Sequence, residues 1–219
     1  MGGTVATITV VDHWSVIATH RIELADRLGD LTPARWATPS LCPAWDVHHV
    51  VAHLVSPHKT GMGRFVETFA RARGRFDRAN ELLTAREAAR PSEDLVADLR
   101  RFARSRFRPP GLGPEAPLTD VMVHASDIGI PLGWPAFGTG EAWTGVLGFI
   151  VTRRARVGFV PRSLSGLHLV ATDVDWEHGE GPEVRGPAVA LALAALGRPA
   201  LATELVGPGL STLVDLSAH

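Results

Sequence analysis

Apolar residues recur at helical spacing through most of this chain and change character only towards its end. Val16, Ile17, Leu24 and Leu28, with His20 among them, fall every three to four residues and predict an amphipathic helix over 11–28. Gly29 and the run Asp30, Leu31, Thr32, Pro33 end it. Thr32 before Pro33 predicts a short helical turn through Trp36. Residues 38–43 (TPSLCP) read as a proline-punctuated loop. Val47, Val50, Val51 and Leu54 form the stripe of a second helix, predicted over 44–55 and interrupted by Pro57 and Gly61. Helical patterning resumes over 62–73. Segments 75–89 and 92–107 are helical and rich in surface residues, with Pro91 between them. Ser92, Glu93 and Asp94 give the latter a charged start without a full capping box, because Leu95 stands where the acid would be. A Pro/Gly loop over 108–117 leads to helices over 118–130 and 140–157, separated by the stop Pro131, Leu132, Gly133.

After Pro161 the pattern shifts. Residues 164–173 are short, apolar and strand-like, and 176–186 are rich in turn formers. Residues 187–196 form an Ala/Leu helix closed by Gly197, and 205–216 make the last element. The expected fold is mainly α, with a helical bundle over 1–160 and a small α/β domain over 161–219.

Composition narrows the function classes. The chain has 219 residues, is 45% apolar, and carries a net charge of −1 with ten neutral histidines. It can bury a substantial core, and no basic excess exists to hold a nucleic-acid backbone. No stretch has the ~18 to 20 apolar residues of a membrane span, and the opening residues lack the marks of a secretory signal. The lone Cys42 has no internal disulfide partner, which suits a reducing compartment. A cytoplasmic, soluble protein without nucleic-acid or membrane partners is expected.

The histidines carry the candidate chemistry. On the helix over 118–130, Asp120 and His124 are four apart and Asp127 three further on, so all three project from one side. His53 flanks the apolar stripe of the second helix. A carboxylate and an imidazole four apart let one helix offer two metal ligands, and a third from a neighbouring helix completes a catalytic-type set. The same spacing also serves a helix-surface hydrogen bond, and His53 also suits a satisfied position at the core edge. His49 and His53 are four apart as well, but His48 and His49 are expected on the solvated side. His13, His20, His58, His168, His178 and His219 have no spacing partner. Arg100, Arg101, Arg104, Arg106 and Arg108 crowd one helix end, either as a solvated face or as a means to hold an anion. Cys42 has no basic residue fixed beside it and is expected to pack with Trp45. Trp14, Trp134, Trp143 and Trp176 are expected at packing positions, Trp134 also being placed to roof a pocket.

Three blocks of the chain carry a resemblance. LGDLTPARWATPSLCPAWDVHHVVAHLV (28–55) resembles the opening of the mycothiol-dependent maleylpyruvate isomerase family, through Trp36, Cys42, Trp45 and Ala52-His53-Leu54. DVMVHASDIGIPLG (120–133) is similar to that family's helix of an acid, three residues and a histidine, with its following Asp and Pro-Leu-Gly stop. LVATDVDW (169–176) and EVRGPAVALALAALGR (183–198) resemble its tail. The resemblance implies a DinB-like four-helix bundle followed by a small α/β domain. It also implies a divalent metal, usually zinc, on His53, Asp120 and His124, with Asp127 either a carboxylate orienting an imidazole N–H or bound water, or a plain cap where the helix meets the loop. The named isomerase type has Glu at the acidic position, and Asp120 is one methylene shorter, which draws the metal closer to that helix.

The activity so implied is that of a metal-dependent enzyme using mycothiol or another low-molecular-weight thiol on a small electrophile, by isomerisation or S-transfer. Two other readings stand beside it. One is a non-catalytic ligand-binding or dimerising bundle, for which a homodimer is open. The other is a metal-dependent hydrolase with bound water as nucleophile.

Overall fold

The computed structural model describes residues 12–43, 45–156 and 158–217; the expected helix ends at Val11, Ala44 and Val157, and His219, lie outside them. The first helix, α1 (His13–Gly29), starts where Asp12 Oδ1 accepts from Trp14 N at 3.1 Å. It buries Ile17, His20, Arg21, Leu24, Ala25 and Leu28, so a charged residue shares the face predicted to be apolar. The one-turn α2 (Pro33–Trp36) follows Thr32, as the Thr-Pro pair predicts, although the threonine side chain makes no cap bond.

Residues 38 and 39 pair with residues 46 and 47 at the start of α3 (Val47–Lys59). Pro39 and Asp46 form an isolated bridge, Val47 N donates to Thr38 O at 3.0 Å, and Asp46 Oδ1 caps the helix by accepting from His49 N at 2.9 Å. The helix therefore starts later than its apolar stripe suggested. It also runs through Pro57 instead of stopping before it. Proline deprives the carbonyl four residues back of its partner, here that of His53, and Ser56 Oγ donates to that oxygen at 3.1 Å. Local repair of this kind lets the helix carry His58 and Lys59.

Next come α4 (Met62–Arg71), α5 (Phe76–Glu87) and α6 (Ser92–Arg101). The last of these is shorter than predicted. Arg21 Nη1 on α1 donates to the carbonyls of Phe102, Ala103 and Ser105 at 3.3, 3.3 and 3.0 Å, and so collects the chain where it leaves the helix. The residue that holds the chain at the helix end is thus distant in sequence. In turn α7 (Glu115–Gly129) starts before 118, its predicted first residue, with Pro117 in the first turn, where a missing N–H costs little. Then α8 (Gly140–Ile150) is followed by a 3-10 turn over Arg153–Arg156.

Helices α1 and α3 each pack against both α6 and α7, closing a four-helix bundle; α5 covers α3, and α8 covers α7. The fold is thus mainly α with a small C-terminal sheet. Strand β1 (His168–Ala171) lies in the segment predicted to be strand-like. It pairs antiparallel with β2 (Glu177–His178) and parallel with β3 (Glu183–Gly186), Leu169 facing Val184. Those two strands fall in the segment read as turn-rich, where Gly179, Gly181 and Pro182 stand between them. Helix α9 (Ala188–Ala195) is buried almost all round, packed between α8, the sheet and α10 (Leu210–Ser217). One hydrophobic cluster runs from Ile17 in α1 to Leu213 in α10. No helix among the described residues is long and apolar enough to cross a membrane.

Candidate metal centre and its cavity

The packing of α3 against α7 sets His53 opposite Asp120 and His124. His53 Nε2 and His124 Nε2 each lie 3.5 Å from Asp120 Oδ1, and the two imidazoles meet edge to face at 4.9 Å. All three ligand atoms lie within 4.8 Å of one another. Zinc with ligands at about 2.0–2.1 Å needs tetrahedral ligand atoms roughly 3.3 Å apart, so the spacing and the donor set both fit a divalent ion. Burial opposes the Asp120 charge, but His53, His124 and Arg21 outweigh it and hold the carboxyl at about 2. An anionic oxygen therefore faces two imidazole nitrogens at neutral pH.

The far side of each ring is held too. His124 Nδ1 is 2.9 Å from Asp127 Oδ2. Asp127 is fully buried, and its carboxyl is held below the usual range: burial opposes ionisation, while His124 and Arg198 more than compensate. The ionised carboxylate makes His124 Nδ1 the donor and leaves Nε2 as the lone-pair nitrogen. His53 Nδ1 lies 3.4 Å from Thr84 Oγ1 on α5, and Trp45 packs against the same ring at 5.2 Å. Both Nε2 atoms are thereby turned towards Asp120.

Asp127 also holds its surroundings together. Its Oδ1 accepts from Arg198 Nε at 2.7 Å, and its Oδ2 from Cys42 Sγ at 3.0 Å. Arg198 reaches it because α9 ends in a Schellman turn: Gly197 adopts φ 81°, and Arg198 N bonds back to Leu193 O at 2.9 Å. Cys42 reaches it because Leu41 N donates to Asp127 O and Ser40 Oγ donates to Trp45 O, pinning the loop to the end of α7. Cys42 is thus not merely packed beside Trp45, since His124 Nδ1 and Arg198 Nη2 lie 3.6 and 3.7 Å from its sulfur. Burial and then Asp127 push the thiol up to about 12 against the pull of Arg198, so it stays a protonated donor. Cys42, His124 and Asp127 form a second group within metal-binding reach.

Above these groups opens a cavity of about 760 Å³. Its wall includes His53, Asp120, His124, Cys42 and Trp45, together with Arg21, His58, Thr119 and Arg198. The sequence pattern did not single out Arg21, Thr84, Thr119 or Arg198, and placed His58 without a partner. The arginines of 100–108 are not in that wall. Arg100 pairs with Asp26 at 2.9 Å, Arg101 lies over Phe102, and Arg108 donates to Leu112 O. His49 turns to Asp46 at 2.7 Å, away from His53, as expected. His48 is half-buried instead of solvated, its Nε2 3.0 Å from Ala88 O. Trp134 packs on Gly129 and under Arg27 and does not roof the cavity.

A four-helix bundle with a small C-terminal sheet, and a His/Asp/His cluster at the floor of a cavity, defines a helical protein with a candidate metal centre. The chain belongs to the family described as the mycothiol maleylpyruvate isomerase N-terminal domain, whose sequence profile matches residues 17–144. Two crystal structures share its fold, that of the mycothiol-dependent maleylpyruvate isomerase and that of a His-to-Ala mutant of it. Each has a TM-score of 0.58 over 90% of this chain and 92% of the other, at 15% and 14% identity respectively. No curated protein matches the chain in sequence.

Proposed function

We propose that His53, Asp120 and His124 hold a divalent metal, zinc by their donor set, in a thiol-using enzyme of the mycothiol-dependent isomerase or S-transferase type. The observation that carries this reading is the pair of Nε2 atoms at 3.5 Å from Asp120 Oδ1, each on a ring whose other nitrogen is already held. Zinc bound there would keep a coordinated thiol in its nucleophilic thiolate form near neutral pH. His124 keeps the required tautomer through Asp127, and Arg198 keeps Asp127 ionised and in place. Trp45 packs on the His53 ring, and much of the cavity wall beside these groups is apolar. The substrate class is a small electrophile open to thiol attack, and mycothiol is the thiol suggested by the family and by the protein whose fold it shares. A cytoplasmic site of action suits a free thiol cosubstrate.

Metal content tests the reading directly. Protein purified without chelator or nickel is expected to carry close to one equivalent of zinc by plasma mass spectrometry, and a His53→Ala, His124→Ala double variant none. Thiol-dependent turnover of maleylpyruvate and related activated alkenes then separates isomerisation from S-transfer. A parent protein that takes up no metal even after zinc is added back would overturn the proposal.

A further inference from the structure

Next to the His/Asp/His cluster, with the Asp120 charge acting on two of its members, the cavity wall holds a second polar group drawn from three helices. Arg21 on α1 is only 5% exposed and lines the cavity. Its Nη1 is occupied by three main-chain carbonyls, which fix the guanidinium plane. No hydrogen bond among the described residues occupies Nε or Nη2. Thr119 on α7 is 1% exposed, and its Oγ1 is buried without a hydrogen-bond partner. The same holds for Nδ1 of His58 on α3, whose ring is stacked on Phe102 at 5.6 Å and edge-on to Phe107 at 5.9 Å. Leaving one such buried atom unpaired costs about 1–3 kcal/mol. The two unpaired atoms and the unused Arg21 donors belong to residues that line one cavity.

The chemistry of its occupant follows from the groups present. Burial lowers Arg21 only to about 10, so it is cationic at neutral pH, and its planar donor edge matches a carboxylate. Burial, then the Arg21 charge, bring His58 down to about 4 against the pull of Asp120, so its ring is neutral and free to donate from Nδ1. Thr119 supplies a hydroxyl donor. Much of the remaining wall is apolar, including Phe65, Leu83, Leu112, Val123, Phe159 and Leu196. A ligand matching both parts has one anionic head and a sizeable apolar body.

We propose that Arg21, His58 and Thr119 form a carboxylate-binding subsite, and that the cavity accepts a monocarboxylate with an aryl- or acyl-sized apolar body. This rests on the reading of the cavity as the substrate site, and it deepens that reading by naming the substrate class. The subsite is made of the chain's own donors and does not require the metal.

Isothermal calorimetry on the full chain, as purified and after metal removal by chelator, tests it. The probes are octanoate and phenylbutyrate, with octanamide, phenylbutanol and acetate as controls. The two apolar carboxylates bind with or without metal, the uncharged analogues bind at least about tenfold more weakly, and acetate hardly binds. Thr119→Val and His58→Phe each weaken octanoate binding about tenfold while the ligand-free melting temperature stays level or rises, because each removes an unpaired buried atom. These two variants carry the test because Arg21 also ties down the end of α6. Equal affinity for octanoate and octanamide overturns the proposal. So does an unchanged affinity in both variants, or no binding by any probe. Binding that requires zinc and disappears in the His53→Ala, His124→Ala variant would place the carboxylate on the metal and overturn the subsite. That last outcome leaves the metal reading standing, whereas failure of metal uptake leaves chelator-treated binding to octanoate intact.

Discussion

Asp127 and His124 are joined by a 2.9 Å hydrogen bond three residues apart on one helix, and that bond decides which imidazole nitrogen faces Asp120. Because Asp127 is fully buried and also receives Arg198, the tautomer of His124 is supported by a residue 71 positions after Asp127 in the chain. Metal-ligating histidines are commonly oriented in this way, and the outer partner then tunes affinity through the ring.

Asp127→Asn should therefore act on metal binding without removing a ligand. The amide removes the negative charge and leaves Arg198 buried without its counter-ion. Zinc affinity is expected to fall by roughly 10- to 100-fold in a chelator competition. The metal-free protein should lose about 3 kcal/mol in urea denaturation, because one partner of a buried ion pair is gone. An affinity equal to the parent's would mean that the His124 tautomer is set by something else.

Cys42 distinguishes the two groups within metal-binding reach. With its thiol pushed up to about 12, the native protein should react with a disulfide reagent at pH 8 on the order of a thousandfold more slowly than the unfolded chain. Cys42→Ser keeps a hydroxyl donor for Asp127 and is expected to retain its zinc. Prompt labelling, with loss of zinc in the serine variant, would move the ion to the group of Cys42, His124 and Asp127.

Stability should respond to pH in two separate windows. His58 has a folded value of about 4 against an ordinary 6.5, through burial and then Arg21, with Asp120 opposing. As pH falls below 6.5 the unfolded chain takes up a proton that the folded protein refuses. Stability is therefore lost progressively down to about pH 4 and no further from this source. Asp120 has a folded value of about 2 against 3.8, so its contribution is full above 3.8 and is lost only as pH falls towards 2. Urea midpoints of metal-free protein between pH 7 and 4 should fall in the parent and stay nearly level in His58→Phe. Parallel curves would show that His58 titrates normally in the folded state.

The helical repeat made much of this protein legible in one dimension. Spacings of four and three residues put Asp120, His124 and Asp127 on one side of α7, because side-chain direction on a helix follows from its turn alone. The stripe of α3 likewise brought His53 to the edge of the core, and Gly197 marked the end of α9. Helix ends were less legible wherever a distant group holds them. Residue Arg21 gathers the carbonyls after α6, and Thr38 and Pro39 pair with Val47 and Asp46 at the start of α3. Short strands such as β2 escaped because two exposed residues show no alternation.

Which residues share a helix face could be read along the chain, since that depends only on neighbours within two turns. Which faces meet could not, because it depends on how distant segments pack. His53 finds Thr84 across 31 residues, and Arg198 finds Cys42 across 156. Arg21, the residue after His20 on an ordinary amphipathic helix, becomes a buried cation in a cavity wall. Those relations come from packing apolar faces together, which leaves the few polar groups caught between them to find partners wherever the chain returns.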